Sequence, residues 1–303
     1  MFGDEPAGLM TALELARQLQ LQAPRRRPRV LVLTEADTRR GLGGTIARGE
    51  LAYLDRNQIP EDKQAQLPPF APSSELYDRF LQLAGVKRIA IDPLRASRAL
   101  RRALQQAGIP VWDRVGLRRA VREGDRLCLV ETATHGSVGA DLFIDSSLGA
   151  ELTHRAGVAF RPGIGPGRLA RRSLSLGWIF QVEGLDLRQL QALEEHLSQR
   201  LLNRQDRIAQ GWLQLWPAYR HDRTRLQRQL LDPGGHLRLI RSYSSDSADQ
   251  QSPALSIAFH GRSGLEPGLV NGRVLLDKAN VALLDHRLSF NALLLRNDAQ
   301  QNR

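Results

Sequence analysis

Leu9, Ala12, Leu13 and Ala16 stand three and four residues apart, so they share one face of a helix. Val30 to Leu33 is a continuous apolar run. Such a run predicts a strand covered on both sides, as in a parallel sheet. Residues 50–72 are polar and proline-rich and predict a surface excursion. Ser73 or Ser74 then caps a helix over Glu75–Ala84 that Gly85 stops. Asp92 and Pro93 open another, with Leu94, Ala96, Ser97, Leu100, Ala103 and Leu104 as its apolar face and Gly108 at its end. Three strands are expected next: Val111–Arg114 running on into Val115–Arg122, then Arg126–Ala133, then Ala140–Asp145. Gly124-Asp125 and His135-Gly136 mark the turns. Farther on, Leu174–Val182 reads as a strand. Asp186 caps a helix carrying Leu187, Leu190, Leu193, Leu197 and Leu201 at helical spacing. Trp212 and Trp216 share a face and are expected in a core. Pro233-Gly234-Gly235 ends the helical region, and strands are expected at His236–Tyr243, Pro253–His260, Leu269–Leu276 and Arg287–Arg296.

The opening stretch organises the rest. Gly3-Asp4-Glu5-Pro6-Ala7-Gly8 is a glycine turn that opens a helix; the strand 30–33 follows, and Glu35 ends it. This is the order of parts in a dinucleotide-binding βαβ unit. Gly3 allows a tight turn, and Gly8 lets the helix lie close to the sheet. The first amides of the helix and its dipole favour a pyrophosphate. Glu35 can accept both ribose hydroxyls of an adenosine. Two features depart from the pattern. Glu5 stands at the middle glycine of G-x-G-x-x-G, which sets bulk and negative charge where a pyrophosphate approaches. Only Met1 and Phe2 precede Gly3, so the strand leading into the turn is expected to be missing.

Gly3-x-x-Pro6-Ala7-Gly8, Glu35 and Gly43-Gly44-Thr45 resemble the FAD-dependent oxidoreductases of the glutathione-reductase-like fold. Leu51-Ala-Tyr-Leu-Asp-Arg56, Asp145-Ser146-Ser147 with Gly149, and Ala156-Gly157-Val158 extend the resemblance. It implies an α/β fold: a Rossmann-like FAD-binding domain with a β-meander over residues 1–163, in which the strand ending in Asp145 returns to the main sheet, and an α+β substrate or cap domain over 164–303. It implies cofactor contacts at Gly3, Glu5, Pro6, Ala7, Gly8, Glu35 and Ala36. Gly43, Gly44 and Thr45 would lie along the pyrophosphate and ribitol, Val115 would touch the adenine through its backbone, and Asp145 and Ser146 would complete the site. Glu5 would turn its side chain away and leave the backbone amides free. The family's closing segment near the flavin is expected to be absent, so the 303-residue chain is expected to hold FAD poorly.

Composition narrows the picture. Net charge is +11, carried almost wholly by arginine, and Arg25-Arg26-Arg27 is the densest run. No aromatics interleave with the arginines, so no stacking platform for bases is expected and no specific nucleic-acid partner. No apolar run approaches the roughly 20 residues of a membrane span, and a cytoplasmic location is the default. Cys128 is the single cysteine, which excludes a dithiol redox pair; it is expected in the core. The seven histidines show no metal-ligand spacing, and no metal is expected. His154 and His260 follow apolar stretches and could face a flavin, though core or surface roles are commoner. No catalytic residue is assigned, because in a flavoenzyme the isoalloxazine carries the hydride chemistry. The substrate would be a small molecule, and the oligomeric state is open. The competing reading is a non-catalytic or degenerate nucleotide-binding or interaction protein.

Overall fold

The computed structural model describes residues 1–22, 29–54, 74–86, 90–159, 175–237, 249–250, 252–268, 273–277, 281–284 and 287–296. The Arg25–Arg27 run and most of the 50–72 excursion lie outside them. So does most of the strand expected at His236–Tyr243. The chain forms two units, Met1–Lys87 with Ile91–Phe160, and Arg88–Ala90 with Arg161–Arg303.

In the first unit, helix α1 (Pro6–Gln22) buries Leu9, Met10 and Ala12. Strand β1 (Val32–Leu33) pairs in parallel with β2 (Val111–Trp112). Met1 and Phe2 occupy the place ahead of Gly3 where a missing strand was expected. Phe2 bridges Leu33 on one side and Asp145 on the other, both parallel. Gly3 N donates to Leu33 O at 2.7 Å, Leu33 N to Met1 O at 2.9 Å, and Phe2 N to Ile144 O at 2.8 Å. Read across the sheet, the segments follow the order 111, 32, 2, 145. That is third, second, first, fourth in chain order, as in a nucleotide-binding half-fold. Val32 and Leu33 face opposite sides. One core gathers Leu9, Val32, Leu42, Ile91, Leu100 and Leu104; the other gathers Phe2, Leu33, Val115, Val130 and Leu152.

Helix α2 (Gly44–Arg48) is short, and α3 (Glu75–Ala84) ends at Gly85 as expected. In α4 (Pro93–Gln106) Asp92 accepts from Leu94 N and Arg95 N. Ala96, Ser97, Leu100 and Leu104 are buried, but Leu94 is half exposed at the first turn. The meander is β3 (Leu117–Glu123), β4 (Arg126–Thr132) and β5 (Gly136–Gly139), in that order and antiparallel. It differs from expectation in two ways. Strand β2 does not run on into β3, because Arg114 and Gly116 take left-handed φ values of 50° and 58°. The third meander strand is the glycine-rich β5, which was not expected, while Asp145 joins the parallel sheet as the resemblance implies. Cys128 on β4 is half-buried rather than enclosed. Helix α5 (Glu151–Arg155) closes the unit.

In the second unit, β6 (Leu176–Glu183) pairs antiparallel with β10 (Arg287–Leu295). Strand β10 also pairs β8 (Val274–Leu276) through its later half and β9 (Val281–Leu284) through its earlier half. Strand β7 (Asp249–Gln250) joins β9. Helix α6 (Leu187–Leu202) starts with a capping box between Asp186 and Gln189. Helices α7 (Arg207–Gln214), α8 (Pro217–Arg220) and α9 (Arg223–Leu230) follow, and Trp212 and Trp216 share one apolar cluster as expected. Pro253–His260, expected as a strand, lies in helix α10 (Pro253–Ser263). Its apolar run fits either period, and Ala254, Ile257 and Ala258 at helical spacing are the buried set. No helix among the described residues is long and apolar enough to cross a membrane.

Candidate functional site

A parallel sheet of this order leaves a crevice at the carboxyl ends of its strands, where the chain order reverses. Such a cavity is present here, about 430 Å³ in volume. Its walls are the ends of three adjacent segments: Phe2 and Gly3, then Thr34, Glu35 and Ala36, then Ser147 and Leu148. Asp4 and Glu5 add the turn; Gly44, Thr45, Arg48 and Gly49 add α2; Glu151 adds α5.

The turn is held by carboxylates. Asp4 is almost fully buried. One of its oxygens accepts from Thr34 Oγ1 at 3.0 Å and Arg48 Nη2 at 2.8 Å. The other accepts from Gly43 N at 3.2 Å, Gly44 N at 3.3 Å and Arg48 Nη1 at 2.5 Å. Burial pushes the Asp4 carboxyl up, but Arg48 and the two amides outweigh it and hold it below the usual range. Glu5 reaches across to the same helix. Its Oε1 accepts from Thr45 N at 2.9 Å and Thr45 Oγ1 at 3.1 Å, and Oε2 lies 3.2 Å from Thr45 N. Burial raises the Glu5 carboxyl, and Thr45 only partly offsets that. Two glycines are dictated by these contacts. Gly44 has φ of +52°, and a Cβ there would overlap the Glu5 carboxylate. Gly3 has φ of +95°, and a Cβ there would overlap the Ser146–Ser147 backbone.

Glu35 stands exposed at the end of β1, where its Oε1 accepts from Leu117 N at 2.8 Å. Asp145 is spent on local structure: it accepts from Ser147 N and Oγ through one oxygen and from Thr153 N and Oγ1 through the other. Ser146 Oγ donates to Phe2 O and Gly3 O. Glu151 Oε2 is buried with no hydrogen-bond partner among the described residues.

The cavity therefore gathers Gly3, Glu5, Glu35, Ala36, Gly44 and Thr45 from the expected set. It leaves Pro6, Ala7, Gly8, Gly43, Val115, Asp145 and Ser146 off its lining. Val115 is fully buried, with its N–H on Thr34 O and its carbonyl on Ala133 N. Sequence reasoning did not assign Phe2, Asp4, Thr34, Arg48, Gly49, Leu148 or Glu151 to the site, and it quoted Ser147 without assigning it. Asp4 offered no signal, since its partners come from distant segments. His154 is exposed on α5 and His260 is fully buried in the second unit; neither lines the cavity. Among the described residues no cluster of His, Cys, Asp or Glu could hold a metal.

Among curated proteins none matches the chain. Solved structures do. THI4 of Thermovibrio ammonificans is 16% identical with a TM-score of 0.35, over 52% of this chain and 60% of that one. L-proline dehydrogenase from P. horikoshii is 13% identical with a TM-score of 0.33, over 59% and 58%. BrvH, a flavin-dependent halogenase from Brevundimonas sp. BAL3, is 13% identical with a TM-score of 0.41, over 99% and 57%. The chain thus spans less than two thirds of the length of each. The profile of the family described as FAD dependent oxidoreductase matches residues 3–256. That match takes in the glycine turn, Glu35, the Gly43–Thr45 segment and most of the second unit, and the chain belongs to this family.

Proposed function

We propose that this chain acts as an FAD-dependent oxidoreductase of the glutathione-reductase-like kind on a small-molecule substrate. Residues 1–163 hold the cofactor and 164–303 serve the substrate. The observation that carries the reading is the cavity at the strand ends, where the order of the parallel segments reverses. Bound FAD would supply the hydride-accepting ring. The residues fit its adenosine and polyol portion. Gly3 and Gly44 bring backbone rather than side chain to the wall. Glu35 is exposed at the strand end with Oε1 on Leu117 N, and its carboxylate is suited to accept from ribose hydroxyls. Glu151 lines the same wall, and its Oε2, buried without a hydrogen-bond partner among the described residues, is an acceptor suited to another hydroxyl. A cytoplasmic setting without a specific nucleic-acid partner belongs to the same proposal. It is supported by a single cysteine in 303 residues and by the lack of aromatics among the arginine runs.

The test is a flavin titration. Charge-assisted hydrogen bonds contribute roughly 1.5–3 kcal/mol each. Glu35→Ala should therefore weaken FAD binding about tenfold or more. Unchanged affinity removes Glu35 from the site, and no FAD binding by the parent chain overturns the reading.

A further inference from the structure

Glu5 sets this turn apart. It lines the cavity at the place where a glycine would admit a pyrophosphate, and its carboxylate sits on Thr45 of α2. The charges lining this cavity are mostly of the same sign as Glu5. Glu35 and Glu151 line the same cavity. Asp4 is its neighbour and opposes its ionisation, and Arg48, the one basic side chain on the lining among the described residues, is already paired with both Asp4 oxygens. A doubly charged pyrophosphate brought to this wall meets an excess of carboxylate, with no unpaired cation on the lining to balance it.

We propose that Glu5 takes up a proton when the cofactor binds, so that FAD affinity is coupled to pH through this side chain. This rests on the reading of the cavity as an FAD site. The proton comes from bulk solvent and goes to Oε2, the oxygen with the weaker hold on Thr45. Oε1 keeps the Thr45 N–H and hydroxyl as donors. The neutral acid then offers an O–H donor to the cavity where the carboxylate offered only a repelling acceptor. Burial already favours this neutral form before any anion arrives. The sign follows: binding is tight at low pH and weakens as pH rises, by up to about tenfold per pH unit for one coupled proton. Glutamine is the fitting substitute. Its carbonyl can keep the Thr45 bonds, and its NH₂ supplies the donor without titrating.

The experiment is FAD binding by calorimetry and fluorescence between about pH 5.5 and 8.5, repeated in two buffers of different ionisation enthalpy. The wild type should lose at least about tenfold in affinity across that range, and its binding heat should depend on the buffer, reporting uptake of close to one proton. Glu5→Gln should bind with a flat pH profile, no buffer-dependent heat, and roughly tenfold higher affinity than wild type at the alkaline end. FAD binding by the wild type with no proton uptake overturns this inference and leaves the FAD reading standing. Uptake that persists in Glu5→Gln and vanishes in Glu35→Gln or Glu151→Gln also overturns it, by placing the proton elsewhere. No FAD binding at any pH overturns the FAD reading and this inference with it.

Discussion

Asp4 carries more of the glycine turn than the glycines beside it. Its buried carboxylate ties Thr34, Gly43, Gly44 and Arg48 together, so one side chain joins the first turn, the end of β1 and the start of α2. Removing it leaves the buried Gly43, Gly44 and Thr34 donors unsatisfied and Arg48 unpaired at the cavity wall, at a cost of about 1–3 kcal/mol. Asp4→Ala should therefore lower the melting temperature markedly, and chemical denaturation should report a loss in that range. The pH dependence has a definite sign. The folded Asp4 carboxyl lies below its ordinary value of 3.8, so its stabilisation is present above that value and is lost as pH falls below it. The variant should show a correspondingly shallower acid limb. None of this is visible in the glycine pattern, where Asp4 is a free position. Its partners come from thirty to forty-four residues away, and only the fold brings them in. The place of Glu35 on the cavity wall was legible for the opposite reason, because it follows from ending a strand at a fixed distance after the turn.

Helix α10 shows the same lesson for an element. Ser252 stands at its start without capping it, and Glu194 of α6 does so instead, accepting from Ala254 N at 2.8 Å and Leu255 N at 3.0 Å. Near its other end His260 is fully buried. Its Nε2 accepts from Leu276 N at 2.9 Å, which fixes the proton on Nδ1, 2.9 Å from Leu265 O. The two groups respond to pH in opposite ways. Burial raises the Glu194 carboxyl from 4.5 to about 7, so its share of stability is complete below 4.5 and is lost as pH rises through 7. Burial lowers His260 from 6.5, so its share is present above 6.5 and is lost as pH falls below that. Glu194→Gln should remove the alkaline decline, which in the wild type is on the order of 3 kcal/mol. Denaturant midpoints at about pH 5 and pH 8 for both proteins check this. Elements set by local signals were readable: α3 from Gly85, α4 from Asp92 and Pro93, α6 from Asp186. Pro253–His260 was not, because a short apolar run satisfies a buried strand and a buried helix alike. The cap that stabilises the helix lies sixty residues earlier.

For the whole molecule, the α/β class and the nucleotide-binding half were legible because chain order largely dictates strand order in a parallel sheet with short connections. The second unit was less so, since its sheet closes by pairing Leu176–Glu183 with Arg287–Leu295, far apart in the chain, and β9 is only four residues long. The net charge of +11 is a property at this scale too. Binding to duplex DNA should be weak and should disappear by about 200 mM salt. A sequence-specific complex that survives that salt, in a filter or anisotropy assay, would contradict the proposed function. The pairing of β6 with β10 also bears on how the protein is made. Arg287 meets Glu183, so β6 leaves the ribosome on the order of a hundred residues before its partner. At typical synthesis rates of roughly 5–20 residues per second, Trp178, Ile179 and Phe180 wait several seconds or more as an unpaired apolar strand. During translation that segment is the natural binding site for a chaperone, and a ribosome stalled before Arg287 would hold it open to aggregation.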